Sequence, residues 1–214
     1  MNPDRPSLAR VAAIIMAAVL LAVTGCKGKQ TSSGAGAFQT GIASWYGKPF
    51  DGRPTASGEI FDMQKLTAAH RTLALGAVVR VENLSNHQQV QVKINDRGPF
   101  VADRIIDLSF AAAQAISIAG IANVRLEIVS TPPKRGADVY TVQVGNFSDR
   151  MQADPPRQEL LQKYGTARVI FRGRDQSWRI LVGIYATEES ANVVASELNQ
   201  RYGPAFVVLM DEDN

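Results

Sequence analysis

The chain has 214 residues, enough for one large or two small domains. Its net charge of +3 invites a nucleic-acid partner, but residues 40–130 hold nine Lys/Arg against eight Asp/Glu and residues 140–214 eight against ten. Neither part carries the basic excess that phosphate binding needs, and a single cysteine rules out an internal disulfide framework.

The N-terminal stretch has the pattern of an export signal. Arg5 and Arg10 precede an apolar run, Val11 to Val23, that is too short for an ordinary membrane span. Val23-Thr24-Gly25-Cys26 then resembles a bacterial lipobox. It implies a lipoprotein signal peptide over residues 1–25, cleavage before Cys26, and lipid on the Cys26 thiol and on the new N-terminus. Several acyl chains together make a stable anchor. Lys27 is not the aspartate that retains lipoproteins at the inner membrane, so the expected location is the outer membrane, facing the periplasm. Residues 26–39, rich in Gly, Ser and Ala, read as a flexible tether.

Residues 40–130 read as one β-rich domain. Strands are expected at Gly41–Tyr46, Leu66–His70, Val78–Asn83, Val90–Asn95, Ile105–Leu108 and Val124–Val129, with glycine turns between. Short strands at this spacing suggest a small barrel. Ser109 caps a helix expected to reach Ile118. In the alternating run Val90-Gln91-Val92-Lys93-Ile94, the three apolar residues share one face. That strand delivers Asp96 at its end, and Gly98-Pro99 turns the chain. Asn95-Asp96-Arg97-Gly98-Pro99 reads either as a well-held carboxylate at a rim or as a capped turn.

Residues 131–138 form a Pro/Gly/basic linker. Residues 139–210 then follow a βαββαβ order: strands Tyr140–Phe147, Arg168–Arg172, Trp178–Ile184 and Ala205–Leu209, with helices from Asp154 to Tyr164 and from Glu188 to Tyr202. This is one antiparallel sheet with two helices on one face. Val142-Gln143-Val144-Gly145-Asn146-Phe147 and Ile180-Leu181-Val182-Gly183-Ile184-Tyr185 are internal echoes.

Five motifs stand in the order seen in the rare lipoprotein A family. They are Ala43-Ser44-Trp45-Tyr46-Gly47, Thr55-Ala56-Ser57-Gly58-Glu59, Thr67-Ala68-Ala69-His70, Asn95-Asp96-Arg97-Gly98-Pro99-Phe100 and Arg104-Ile105-Ile106-Asp107-Leu108-Ser109. Residues 40–130 thereby resemble a six-stranded double-psi β-barrel with lytic transglycosylase activity. The Val-Gln-Val-Gly-x-Phe opening makes residues 139–210 similar to a sporulation-related repeat (SPOR) domain that binds peptidoglycan. Two departures are Ala74, where the barrel pattern has proline, and Pro155-Pro156, which are expected to delay the first SPOR helix.

The resemblance implies cleavage of the MurNAc–GlcNAc β-1,4 bond in peptide-free glycan strands at the division septum. The C6 hydroxyl of the sugar attacks, leaving 1,6-anhydro ends, and one group acts first as acid and then as base. Asp96 is expected in that role, with Glu59 as second carboxyl, His70 as its helper and Asp62 as a supporting residue or turn cap. Tyr46 is expected to stack on sugar and Arg97 to brace Asp96 or the substrate, and Asp107 to pin a turn. In the second domain Gln143 and Arg179 are expected on an open sheet face toward glycan. No cofactor is implied. Glu59, Asp62, His70 and Asp96 would make an oxygen-rich metal set, but no His-x-His or cysteine spacing supports one. The expected partners are septal glycan and the membrane, with a monomeric chain. The alternative is a wall-binding lipoprotein that does not cut.

Overall fold

The computed structural model describes residues 36, 38–133 and 136–210; the leader, Cys26, most of the tether, Lys134-Arg135 and the acidic tail lie outside the described residues. No helix among the described residues is long and apolar enough to cross a membrane.

Six strands close a barrel: β1 (Phe38–Tyr46), β2 (Thr67–His70), β3 (Val78–Asn83), β4 (Gln89–Asp96), β5 (Arg104–Ser109) and β6 (Ala122–Ser130). Their order around the wall is β1-β5-β2-β4-β3-β6. The pairs β1–β5 and β2–β4 are parallel and the rest antiparallel, giving a double-psi barrel. The alternation read in Val90–Ile94 recurs in β3 and β6 and sets the inside: Val79 and Val81, Val90, Val92 and Ile94, and Val124 and Leu126 meet Ile106 and Leu108 in one core. Each such side chain contributes roughly 1.5–3 kcal/mol by leaving water. The β3–β4 hairpin turns at His87, which adopts a φ of 60°.

Helix α1 (Phe110–Ala115) closes one side of the core with Ala112 and Ala113. Ser109 caps it as expected, its Oγ accepting from the Ala112 amide at 3.2 Å. It is shorter than the expected helix, because Ile116 leaves helical geometry and Ser117 takes a φ of 57°.

The second domain is β7 (Tyr140–Phe147), α2 (Arg150–Tyr164), β8 (Ala167–Arg172), β9 (Ser177–Tyr185), α3 (Glu188–Tyr202) and β10 (Ala205–Leu209). The sheet order is β10-β7-β9-β8, all antiparallel. Val142, Val144, Ile180 and Val182 face both helices, meeting Ala153 and Leu160 of α2 and Ala191, Ala195 and Leu198 of α3. The internal echo has a physical basis. Gly145 and Gly183 have φ of 78° and 72°, and a Cβ there would stand 2.1 Å from Phe147 Cε2 or 2.0 Å from Tyr185 Oη. In each half an aromatic ring folds back over a left-handed glycine.

One expectation is corrected. Helix α2 does not start late; it begins at Arg150, capped by Asp149, whose Oδ1 accepts from the Met151 amide at 3.0 Å. Pro155 and Pro156 sit inside it. The carbonyls they leave without an amide partner belong to Met151 and Gln152, which are exposed, so water can serve them.

The domains also touch. The Leu209 amide at the end of β10 donates to the Arg71 carbonyl at 3.1 Å, and Phe100 packs on Phe206 with ring centroids 5.8 Å apart.

Candidate functional site

The site begins with an irregularity in β4. Ala68 pairs with Ile94, but Ala69 pairs with Asp96, so Asn95 is an extra residue against β2. Ile94 belongs to the barrel core, whereas Ala69 packs outside it with Tyr46 and Phe61. Strict alternation would put Asp96 on the side of Ile94. The bulge instead lays it beside Ala69, on the outer layer. Asp107 of β5 is the other neighbour of Ala69, and Ser44 of β1 is in register with Asp107. Ser44 Oγ donates to Asp107 Oδ1 at 2.6 Å, and Arg104 lies 3.4 Å from the same carboxylate. Asp107 therefore sits in mid-strand and ties β1 to β5, rather than pinning a turn.

Asp96 is 3% exposed. Its Oδ1 accepts from the amides of Ala56 at 3.0 Å and Arg97 at 2.8 Å. The loop through Thr55-Ala56-Ser57-Gly58-Glu59 is folded over β4, the Ser57 amide donating to the Asn95 carbonyl at 3.1 Å. Backbone amides thus fix one carboxylate oxygen and leave Oδ2 for another partner. Tyr46 lies nearby, 6% exposed. Burial, and then the Asp96 carboxylate, push its hydroxyl well above the usual range, so it stays protonated and can donate. Trp45 points the other way, stacking on Phe110 and donating its indole N–H to the Ala119 carbonyl at 3.1 Å.

The same loop carries Glu59 to the far side of Asn95. Its carboxylate is ion-paired with Lys93 and accepts from Asn95 Nδ2 at 3.1 Å. Those two hydrogen bonds hold it below the ordinary glutamate range. Asp62 accepts from the Gln64 amide at 2.9 Å and caps the exposed turn that follows.

His70 and Arg97 stand elsewhere than expected. The His70 Nδ1 accepts from the amides of Thr72 at 3.2 Å and Leu73 at 3.1 Å, which places the proton on Nε2, facing Gln39 Oε1 at 2.9 Å. Both ring nitrogens are used in holding the β2 exit loop, not in reaching Asp96 or sugar. Arg97 meets Asp96 through its amide, at 2.8 Å. Its Nη1 donates to the carbonyls of His70 at 3.2 Å and Leu73 at 2.6 Å.

Burial lowers the His70 pKa from 6.5 to about 3, helped by Arg71 and Arg97. The unfolded chain takes up this proton near pH 6.5 and the folded chain does not. Stability is therefore complete above pH 6.5 and is lost as pH falls toward 3, with a slope approaching ~1.4 kcal/mol per pH unit. Urea unfolding between pH 7 and 5 should show that slope in the parent chain and its loss in His70→Asn; an equal slope in both would remove His70 as its source.

The second domain's helix-free face is not open. Thr141, Gln143 and Arg179 are all buried. Gln143 Oε1 accepts from Arg172 Nη2 at 2.7 Å, and Arg179 donates to the Gly145 carbonyl and to Asp175 Oδ2, each at 2.6 Å. This face and the barrel rim share a cleft of about 940 Å³, to which Ala56, Asp96 and Phe100 contribute from one side and Thr141, Leu181 and Arg174 from the other.

Arg174, at the tip of the β8–β9 hairpin, was not anticipated from the sequence. Its Nη1 lies 3.2 Å from Asp96 Oδ2, and its guanidinium covers the Tyr46 ring at 5.1 Å. Its carbonyl accepts from Arg53 Nη1 at 2.6 Å. The available signal was a basic Arg172-Gly173-Arg174 turn in an otherwise acidic domain. Among the described residues no three His, Cys, Asp or Glu side chains converge as a metal site.

A double-psi barrel with a buried aspartate at its rim, joined to a two-helix SPOR sheet, defines the class as a lytic transglycosylase-type barrel coupled to a SPOR module. Residues 38–126 match the family described as "Lytic transglycolase" and residues 136–209 the "SPOR domain" family. The "Endolytic peptidoglycan transglycosylase RlpA" of Vibrio cholerae is 36% identical over 180 residues, covering 79% of this chain and 68% of that protein. The protein of the same name from Neisseria meningitidis is 37% identical over 163 residues, covering 72% and 68%. The "Probable endolytic peptidoglycan transglycosylase RlpA" of Synechocystis is 60% identical over 91 residues, covering 42% of this chain and 28% of that protein. The chain belongs to the RlpA family of endolytic peptidoglycan transglycosylases. It spans about two thirds of the Vibrio and Neisseria relatives and under a third of the Synechocystis one.

Proposed function

We propose that the chain cleaves the MurNAc–GlcNAc bond of peptide-free glycan strands at the division septum and leaves 1,6-anhydro ends. The observation that carries this reading is Asp96: a carboxyl group in the wall of the interdomain cleft, with one oxygen fixed by two backbone amides and the other facing Arg174. Such a group can give a proton to the leaving oxygen and take one back from the C6 hydroxyl as it attacks C1. No water enters the bond balance, because the new C1–O6 bond replaces the broken glycosidic one. The Tyr46 hydroxyl supplies a neutral donor beside the reacting sugar. Glu59, kept ionised by Lys93 and Asn95, is the second negative group that favours an oxocarbenium-like centre. His70 and Arg97 serve as positioning residues, since they hold the loop after β2. Family membership supports peptidoglycan as substrate and the SPOR sheet as a second contact with the same polymer, raising its local concentration. Lipid attachment at Cys26 would place the protein on the outer membrane, and a monomer suffices for the chemistry.

The test incubates the chain from residue 27 onward with peptide-free glycan and looks by mass spectrometry for anhydro ends. Their accumulation is the expected result. Binding without new ends would leave a wall-gripping protein that does not cut.

A further inference from the structure

With Arg174 in place, Asp96 is closed to substrate. Its side chain is 4% exposed, and Oδ2, the oxygen that backbone amides leave over, faces Arg174. The hairpin bearing Arg174 fits the rim closely. A Cβ on Gly98 would stand 2.8 Å from Arg174 Nη2, and a Cβ on Gly173 would stand 3.0 Å from Pro54 Cγ. The same hairpin is held from behind by the sheet: Arg172 donates to Gln143, Asp175 accepts from Arg179, and Ser177 Oγ donates to Asp175 Oδ1 at 2.6 Å. Gln143 and Arg179 are the residues of the second domain expected from the sequence to meet glycan.

We propose that the β8–β9 hairpin is an intramolecular latch on the catalytic carboxylate, with Arg174 occupying the place of the substrate, and that a glycan strand entering the sheet face releases it by taking over Gln143 and Arg179. This rests on the reading of Asp96 as the acting group. The contacts holding the latch are ion pairs, hydrogen bonds and guanidinium–ring stacking, not a sealed apolar core, and such interdomain contacts open readily. Sugar hydroxyls and acetamido groups offer the acceptors and donors with which Gln143 and Arg179 can replace Arg172 and Asp175. A ligand that binds only the open form draws the equilibrium toward it. Cutting is thereby confined to a strand already held by the second domain.

The latch can be trapped and timed. In the chain from residue 27 onward Cys26 is gone and no other cysteine exists. Pro54→Cys with Gly173→Cys should then oxidise to a disulfide quickly, and peptide-free glycan should slow that oxidation about tenfold or more. An unchanged rate overturns the latch. Arg174→Gln should raise anhydro-end formation on short glycan about fivefold; where the parent chain forms such ends, parent-level or lower turnover also overturns it, because Arg174 would then be a helper. Slowed oxidation without anhydro ends in any sample keeps the latch and discards the cutting function. Anhydro ends with unslowed oxidation keep the function and discard the latch.

Discussion

Asp96→Asn is expected to reduce anhydro-end formation by about 10²–10⁴-fold while leaving glycan affinity at or above that of the parent chain. The substitution keeps the shape. The amide oxygen can still accept from the amides of Ala56 and Arg97, so the bulge and the loop over it stay in place. What is lost is the group that gives and recovers a proton. In addition, an amide N–H would face Arg174, where the parent chain presents Oδ2. Two donors then oppose each other, the hairpin loosens, and the cleft becomes more accessible rather than less. A loss of turnover in a more open site separates chemistry from access. Mass spectrometry of the products with a parallel binding isotherm measures both, and unaltered turnover would remove Asp96 from the acid role.

Arg97→Ala is expected to destabilise the chain by about 3–5 kcal/mol, near the upper end for a single replacement. Its guanidinium is 1% exposed and joins the carbonyls of His70 and Leu73. Alanine leaves those carbonyls without this donor and a cavity where the side chain lay. For a chain of this size the melting temperature should fall by about 10 °C. Arg97→Lys should recover little, since a single ammonium cannot reproduce the planar fork. Calorimetry on both variants gives the answer. A shift below about 1 kcal/mol would return Arg97 to the substrate-contacting role its motif suggests.

Much of the fold was legible because it rests on local rules. Alternation placed β4, and the cap Ser109 marked the start of α1. The start of α2 was misread because the proline pair looked like a helix opening, whereas Asp149 had already supplied the cap. The site was legible only in part. Motif order named Asp96, Glu59 and Tyr46, but not which way a strand residue faces when an extra residue interrupts the pleat. His70 looked chemical because of its place at the end of the Thr67-Ala68-Ala69-His70 motif; only its two amide donors and Gln39 reveal a structural load. Arg174 stayed hidden because its partner is 78 positions away in another domain, a distance that no local pattern spans.

Asn95 has a larger part than its modest chemistry suggests. Were the strand to pair regularly through that position with every residue kept, the acidic group would swing inward among Ile94, Leu126 and their neighbours, where an unpaired ion is costly by several kcal/mol. A strand re-registered in that way would be felt twice, as an unstable wall and as a missing reagent. Any grafting of this reaction onto another six-stranded barrel must therefore carry over the interruption along with the acid.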